Sequence, residues 1–271
     1  MNNDSLGDRM KRYENESRLY FRNRAPMIIR IDGRSFHNFT KGFMRPFDDL
    51  LISAMQETAI YLCENISGCV LGYTQSDEIS LLIIDYQRQE TQPWFAKNIQ
   101  KIASVSASMA TMAFNRAFSL AIHKQGIDGL TANGLKSHVP DQVYEKYLEK
   151  EGTAMFDSRA FIMPFDEVCS YFIWRQRDAI RNSVQMVAHT YFSHKSLQNL
   201  NTSDIKEKLM SEFGFAWDNI PTVYQRGSAI YRKPFLIGDT LRHSWVVDRD
   251  TPLFTHKSNY INCRIPEYDI N

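Results

Sequence analysis

Two acidic positions lie beside short apolar runs that are typical of buried strands. Asp32 comes directly after the run 27–31, and Asp77 lies in a polar stretch between the runs 69–73 and 79–84. In a βαββ unit the first strand and the following hairpin are neighbours in the sheet, so we expect both carboxylates at one site. Two carboxylates at close range repel each other unless a cation lies between them.

Magnesium suits such a site because it takes oxygen ligands and keeps several of its waters. The Gly33 carbonyl follows Asp32 directly and offers a third oxygen. A pair of Mg²⁺ ions held by Asp32, Gly33 and Asp77 could stabilise the attacking and leaving oxygens of a phosphoryl transfer. On spacing alone, an ordinary Asp-Gly turn and a solvated hairpin tip explain the same residues.

Basic residues accompany the two aspartates along the chain. They are Arg30, Arg34, Lys41, Arg45, Lys97 and Lys101. A triphosphate needs cations spread over several oxygens. Lys97 and Lys101 are expected on one face of a predicted helix, although a plain solvated face explains them equally well. The chain contains neither GxxxxGK[ST] nor GxGxxG, which disfavours P-loop and Rossmann nucleotide sites.

The composition is that of an ordinary globular protein, with 271 residues, 43% hydrophobic and 23% charged, and a net charge of +1. Any RNA-binding surface must therefore be a local basic patch. None of the four cysteines forms a CxxC pair, which disfavours structural zinc and favours free thiols in a reducing cytoplasm. No apolar run approaches the roughly 20 residues of a membrane span, so we expect a cytoplasmic protein that does not bind membranes.

The elements that must position these residues follow from hydrophobic periodicity and turn signals. The order strand, helix, two strands, helix, strand, helix predicts an α+β fold with a βαββαβ core, an antiparallel sheet and added helices. We expect a single domain over 1–271, with a core at about 26–195 and a C-terminal extension at about 196–271. The predicted elements are a helix over 4–22, a strand over 27–31, a helix over 50–65 capped by Asp48 or Asp49, strands over 69–73 and 79–84, a helix over 94–122, a surface insertion over 125–152, a strand over 160–164, a helix over 165–194, a short helix and an extended segment within 200–233, and an irregular or strand-like tail after Pro234.

Five short motifs resemble those of the tRNA-His guanylyltransferase family and occur in the same order along the chain. Residues 30–37 resemble RxDGRxFH, 75–80 resemble QSDExS, and 174–178 match WRQxD. Residues 156–159 resemble FDGR with Ser158 in place of Gly, and 224–227 resemble YRKG. Together the motifs span most of the chain.

The resemblance implies a fold like the polymerase palm, which is ferredoxin-like, and two Mg²⁺ ions on Asp32, Gly33 and Asp77. It also implies that Ser76 helps to hold a nucleoside triphosphate, that Arg45 replaces the Lys of a Lys-Pro motif, and that the protein is a homotetramer. The nucleotide-binding residues implied are Arg30, Gly33, Arg34, Ser35, Phe36, His37, Arg45, Ser76, Asp77, Lys97 and Lys101.

The family chemistry implied is 5′ adenylylation of tRNA by ATP, followed by attack of the 3′-hydroxyl of GTP or another NTP. After WRQxD, the segment 179–183 lacks the His of a His-Ile-Asn-Asn signature found in the eukaryotic enzymes. This departure resembles the guanylyltransferase-like branch, which repairs truncated tRNA 5′ ends by template-dependent 3′–5′ addition. Candidate RNA contacts are Arg159, Arg175, Arg177, Arg181 and Asn182, although structural salt bridges explain each of the arginines equally well. The alternatives are G addition restricted to tRNA-His, a nucleotidyl cyclase that needs no RNA, and an inactive RNA-binding protein.

Overall fold

The centre of the fold is an antiparallel sheet of four strands, extended by two more. This computed structural model describes residues 5–88, 90–128 and 139–266. The six strands are β1 (Met27–Gly33), β2 (Cys69–Gln75), β3 (Glu78–Ile83), β4 (Phe156–Ile162), β5 (Ser228–Ile237) and β6 (Thr240–Asp248), in the spatial order β4-β1-β3-β2-β5-β6. The first four, with their connecting helices, are the predicted ferredoxin-like βαββαβ core, and the predicted α+β class is confirmed.

The helices cover both faces of this sheet. They are α1 (Leu6–Glu16), α2 (Phe36–Phe39), α3 (Asp49–Asn65), α4 (Ile99–Asp128), α5 (Asp141–Lys150), α6 (Val168–Tyr191), α7 (Thr202–Phe213), α8 (Thr222–Arg226) and α9 (Asn259–Asn262). The predicted cap of α3 is confirmed, because the Asp48 carboxylate accepts the Leu51 amide hydrogen at 2.9 Å. No helix in the part of the chain that the structure describes is long and apolar enough to cross a membrane.

Alternation of side chains along β1 separates an apolar face from a partly charged one. Ile29 and Ile31 pack with α3 and α4 in the larger core cluster. Ile28 lies on the other face and packs with α6. Because successive residues of a strand point to opposite faces, Arg30 and Asp32 follow Ile28 onto the α6 side. The α6 side of β1 is therefore apolar at Ile28 and charged at Arg30 and Asp32, with Asp32 near the end of the strand.

The region before α4 differs from the prediction. The helix expected over 94–122 is two elements, a kinked turn at Trp94–Lys97, within which Phe95 and Ala96 have a left-handed φ near 49°, and α4, with the extended residue Asn98 between them. The prediction that Lys97 and Lys101 share one helix face is therefore wrong.

The stretch 125–152, predicted as a surface insertion, contributes to the core. Its residues 129–138 lie outside the described part, but α5 follows them and places Tyr147 in the larger core cluster at 1% exposure. The Tyr147 ring packs edge-on against Phe43, with 4.8 Å between ring centroids. For α5, the surface prediction is wrong.

The C-terminal extension continues the sheet of the core. Residues Leu71–Thr74 of β2 pair with Ser228–Tyr231 of β5, and β6 pairs with β5 along its length. Beyond Tyr231 the β5–β6 hairpin leaves the sheet and is largely exposed. The tail after Pro234 is thus strand up to Asp248, one of the two forms expected from the sequence.

Candidate active site

Asp32 and Asp77 lie at the same end of the β1–β3 pair. Asp32 is the register partner of Glu78, the first residue of β3. The Gly33 amide donates a hydrogen bond to the Asp77 carbonyl at 3.0 Å, which joins the end of β1 to the turn between β2 and β3. Ser76 occupies that turn with a left-handed φ of 51°. The structure therefore brings together the two carboxylates that the sequence paired.

The electrostatics of this turn favour a bound cation. Burial raises the pKa of the Asp77 carboxyl above its ordinary value, the Ser76 hydroxyl lowers it, and the nearby charge of Asp32 raises it. Ser76 Oγ donates to Asp77 Oδ1 at 2.9 Å. The Asp32 carboxylate makes no hydrogen bond or ion pair with any residue that the structure describes. Two partly desolvated carboxylates with so few partners gain stability when a cation neutralises them.

The residues present fit magnesium. Within the described ranges, no three His, Cys, Asp or Glu side chains form a possible metal cluster. An ion here would therefore take two carboxylates and a backbone carbonyl, and complete its shell with water and substrate oxygens, as Mg²⁺ commonly does. Glycine is required at position 33, because a Cβ there would lie 2.3 Å from Cδ2 of Phe36. The four cysteines are free thiols and lie outside this arrangement.

Glu78, whose contact with metal the sequence left undecided, is held by arginine. Its Oε1 accepts from Arg175 Nε at 2.8 Å and from Ser80 Oγ at 3.3 Å, and its Oε2 lies 3.9 Å from Arg30 Nε. Burial raises the pKa of Glu78, while the charges of Arg175 and Arg30 lower it. Glu78 therefore anchors the base of the turn through ion pairs.

A cleft of about 490 Å³ opens beside this turn, at Gly33 and Asp77. Seven of the predicted nucleotide-binding residues line it: Gly33, Ser35, Phe36, His37, Arg45, Ser76 and Asp77. Arg45 and His37 make no hydrogen bond or ion pair within the described residues, so both side chains can bind an anion. Anion-binding side chains without partners among the described residues, close to the paired carboxylates, suit a triphosphate and its metal.

The structure places four other predicted nucleotide-binding residues outside this cleft. Arg30 lies beneath the turn, beside Glu78. Arg34 lines a neighbouring cleft. Lys97 is buried, 1% exposed, and its ammonium group lies 2.9 Å from Asp85 Oδ2 and donates to the carbonyls of Arg22 and Ala25. This pairing corrects the assignment of Lys97 to a phosphate site.

Lys101, the fourth of these residues, lies toward the opposite end of the sheet. Phe156 on β4 is the register partner of Gly33, and its amide donates to Oγ1 of Thr111 on α4. Thr111 is therefore the residue of α4 at the level of Gly33. At 1.5 Å per residue, Lys101 lies about 15 Å further back along the helix. Within this chain the structure does not bring Lys101 to the cleft, and its role stays a prediction.

The predicted RNA contacts are mostly engaged in ion pairs. Arg159 pairs with Asp157 at 3.1 Å, and Arg181 pairs with Asp178. Arg175 is 6% exposed and bound to Glu78 and Asp178, which corrects its assignment as a surface contact for RNA. Among the other candidates, Asn182 lines a small cavity of about 80 Å³ beside this cleft.

The cleft wall also contains residues that sequence reasoning did not assign to it, among them Met44, Asp48 and Met186. Asp48 was assigned only as a helix cap, yet its Oδ2 also accepts from the Met44 amide at 3.0 Å and from the Tyr147 hydroxyl at 2.7 Å. Met186 lies four residues after Asn182 on α6, so helical spacing from that residue was the available signal.

Comparisons with known proteins agree with this geometry. A family model described as "Thg1: tRNAHis guanylyltransferase" matches residues 7–164. A solved structure of a bacterial tRNA(His) guanylyltransferase (Thg1)-like protein in complex with ATP has a TM-score of 0.81 and 44% identity, and the match covers 97% of this chain and 99% of that one. A second such structure, in complex with GTP, has a TM-score of 0.75 and 41% identity, with 96% and 99% covered.

A curated relative extends the match to a eukaryote. The probable tRNA(His) guanylyltransferase of Dictyostelium discoideum is 26% identical over 221 residues, which cover 77% of this chain and 75% of that protein. The motifs, the paired aspartates and the matched fold lead to one conclusion. The chain belongs to the tRNAHis guanylyltransferase (Thg1) family and is a nucleotidyltransferase.

Proposed function

We propose that this chain repairs the 5′ end of tRNA by adding nucleotides in the 3′–5′ direction, copied from the opposite strand. The observation that carries the proposal is that Asp32 and Asp77 meet at one end of the β1–β3 pair, beside a cleft that Asp77, Arg45 and His37 line. The binding of ATP and GTP by the two similar bacterial proteins supports it.

The chemistry has two phosphoryl transfers. An oxygen of the tRNA 5′-phosphate attacks the α-phosphorus of ATP, and pyrophosphate leaves. The 3′-hydroxyl of the incoming NTP then attacks the activated 5′-phosphorus, and AMP leaves. Neither step needs a protein nucleophile, so catalysis rests on positioning and on charge stabilisation.

The residues of the cleft supply that positioning. Enzymes of this family are generally metal-dependent. Asp32, the Gly33 carbonyl and Asp77 would hold two Mg²⁺ ions, which neutralise charge on the triphosphate and lower the pKa of an attacking hydroxyl. Arg45 and His37 bind phosphate oxygens, and Ser76 contacts the nucleotide from the turn.

In this proposal the opposite RNA strand, and not a pocket of the protein, selects the incoming base. At the signature positions this chain has Ile180 and Ser183. An apolar Ile180 offers no hydrogen bond to a base edge, and Ser183 accepts from the indole N–H of Trp217 at 3.0 Å inside the protein. A site without polar groups aimed at one base discriminates weakly. A missing 5′ nucleotide leaves an unpaired base on the 3′ strand, which templates the addition.

The test is extension of two tRNAs that lack their first nucleotide and differ in anticodon and in the opposing base. We expect both to be extended, each with the complementary nucleotide, and only with ATP present when the 5′ end is a monophosphate. Activity on tRNA-His alone, or G addition regardless of the opposing base, would contradict template-dependent repair. Formation of a cyclic nucleotide without RNA would instead identify a cyclase, and binding without reaction an inactive RNA-binding protein.

We also propose that the chain forms a homotetramer in the cytoplasm. The end of the β5–β6 hairpin exposes large apolar side chains that an assembly would cover: Phe235, Leu236, Ile237 and Leu241. Free cysteines are compatible with a reducing compartment. Light scattering of the purified protein measures the mass of the assembly.

A further inference from the structure

A second cleft opens beside the catalytic cleft, on the other side of Ser35. It has a volume of about 320 Å³ and is lined by residues of the segments 34–39 and 150–155. The Arg34 amide donates to the Met155 carbonyl at 2.9 Å and joins these two segments. Ser35 lines both clefts, so a ligand in the second cleft lies next to the reacting groups.

Four side chains that line the second cleft can donate hydrogen bonds and have no nitrogen or oxygen acceptor among the residues that the structure describes. The Arg34 guanidinium contacts only the Met155 sulfur, at 4.0 Å, and forms no ion pair. The side chains of Ser35, Asn38 and Lys150 make no hydrogen bond or ion pair with the described residues. None of the described lining residues is acidic.

The acidic neighbours of Lys150 in the sequence are engaged elsewhere. Glu149 pairs with Lys146 at 2.7 Å. Glu151 pairs with His123 at 3.0 Å and accepts from the Ser119 hydroxyl. No described residue therefore compensates the charge of Lys150, and Arg34 and Lys150 have no counterion in the part of the chain that the structure describes.

We propose that this second cleft binds a phosphate of the tRNA backbone next to the reacting 5′ end. The inference rests on the proposed function. Phosphate is an anion that only accepts hydrogen bonds. Arg34 can bind two of its oxygens at once, Lys150 adds a point charge, and Asn38 adds an amide donor.

The position of the cleft favours an RNA phosphate over the triphosphate of a nucleotide. The catalytic cleft already has Arg45 and His37 for the triphosphate. An RNA strand whose first phosphate reacts at Asp32 and Asp77 must continue out of that cleft, and it carries one charge per nucleotide. A free nucleotide has no further phosphate to place beyond Ser35.

The experiment compares Lys150→Gln and Arg34→Gln with the wild-type chain. Lys146→Gln is the matched control, because Lys146 lies one turn earlier on α5 and is already paired with Glu149. Fluorescence anisotropy gives the Kd of a 5′-truncated tRNA at several salt concentrations, and calorimetry gives the Kd of ATP. Circular dichroism verifies that each variant is folded, and Arg34→Lys provides a variant that keeps the charge.

We expect Lys150→Gln and Arg34→Gln each to raise the Kd for tRNA by about tenfold. Each should also reduce the slope of log Kd against log salt concentration by about 1, the contribution of one phosphate contact. The Kd for ATP should not change in these two variants. In the Lys146→Gln control, the Kd values for tRNA and for ATP should both equal those of the wild type. Weaker ATP binding with unchanged tRNA binding would assign the phosphate to the nucleotide and overturn the proposal. Unchanged binding of both ligands would also overturn it.

Wild-type extension activity is measured separately, so the two hypotheses can fail independently. If the wild type extends tRNA and Lys150→Gln binds it normally, only the phosphate cleft is refuted. If Lys150→Gln weakens tRNA binding but the wild type extends no tRNA, only the proposed function is refuted.

Discussion

Arg175 donates its Nε hydrogen to Glu78 Oε1 across 2.8 Å, and this buried contact ties α6 to the first residue after the Ser76-Asp77 turn. The same helix contributes Met186 to the wall of the catalytic cleft. One helix therefore fixes the carboxylate-bearing turn and bounds the space above it.

Removal of Arg175 should destabilise the protein, because it leaves the carboxylate of Glu78 buried with only Arg30 nearby. We expect Arg175→Met to lower the free energy of unfolding by about 3 kcal/mol in urea titrations. The control is Arg181→Ala, whose exposed pair with Asp178 is worth less than about 1 kcal/mol. Adding Glu78→Gln to Arg175→Met should recover part of the loss. Equal losses in the Arg175 and Arg181 variants would show that the buried pair has no special role.

Replacement of either of the paired aspartates, Asp32 or Asp77, should abolish nucleotide addition while the fold is retained. Asp32→Asn and Asp77→Asn remove the charge with little change of shape, and we expect each to slow extension at least ~100-fold. The control is Asp157→Asn, since Asp157 is the register partner of Asp32 on β4 but pairs at the surface with Arg159. Near-normal activity of Asp32→Asn in magnesium would refute the metal assignment, as would full activity after EDTA treatment.

The two predicted phosphate cations Lys97 and Arg45 should behave differently. Lys97→Met leaves Asp85 buried without its ion pair, so we expect a loss of about 3–5 kcal/mol in the free energy of unfolding. Arg45→Ala should leave stability unchanged and raise the Kd for ATP, because its side chain has no partner among the described residues. Thermal unfolding and calorimetry on the same samples separate the effects. A stable Lys97 variant with weakened ATP binding would restore the sequence-based assignment.

Asp48 should make the stability of the protein depend on pH. Burial raises the pKa of its carboxyl above the ordinary 3.8, and the bonds from Leu51, Tyr147 and Met44 only partly oppose this. The stabilisation from protonated Asp48 is therefore complete below pH 3.8 and is lost as the pH rises through the folded-state pKa. Relative to Asp48→Asn, the wild type should gain stability as the pH falls from 7 toward 4. A difference in free energy of unfolding that is constant with pH would contradict the burial argument.

The sequence predicted the parts of the site that depend on local pattern. The apolar run of β1 ends at Asp32, and the apolar run of β3 begins just after Asp77. Pairing of these two strands alone therefore places the two carboxylates together. The cap at Asp48 was equally local, because a side-chain oxygen three residues before an amide satisfies a free helix N–H.

The errors involve partners that are distant in the sequence. The kink at Phe95 and Ala96 does not interrupt the helical periodicity, and the pairing of Lys97 with Asp85 is set by the fold. Arg175 looked like a surface cation because nothing near it in sequence shows that Glu78 lies opposite. Tyr147 is similar, since its pocket is built by Phe43 and Asp48 from the other end of the core.

The pairing of β5 with β2 bears on how this protein can be divided. A chain shortened at residue 195, the expected end of the core, would leave Leu71–Thr74 as a free strand edge, and free edges recruit strands from other molecules. The exposed edge would belong to the strand that leads into Ser76 and Asp77. A fragment that retained every proposed catalytic residue would therefore be prone to aggregate, and experiments on the chemistry should use the chain through β6.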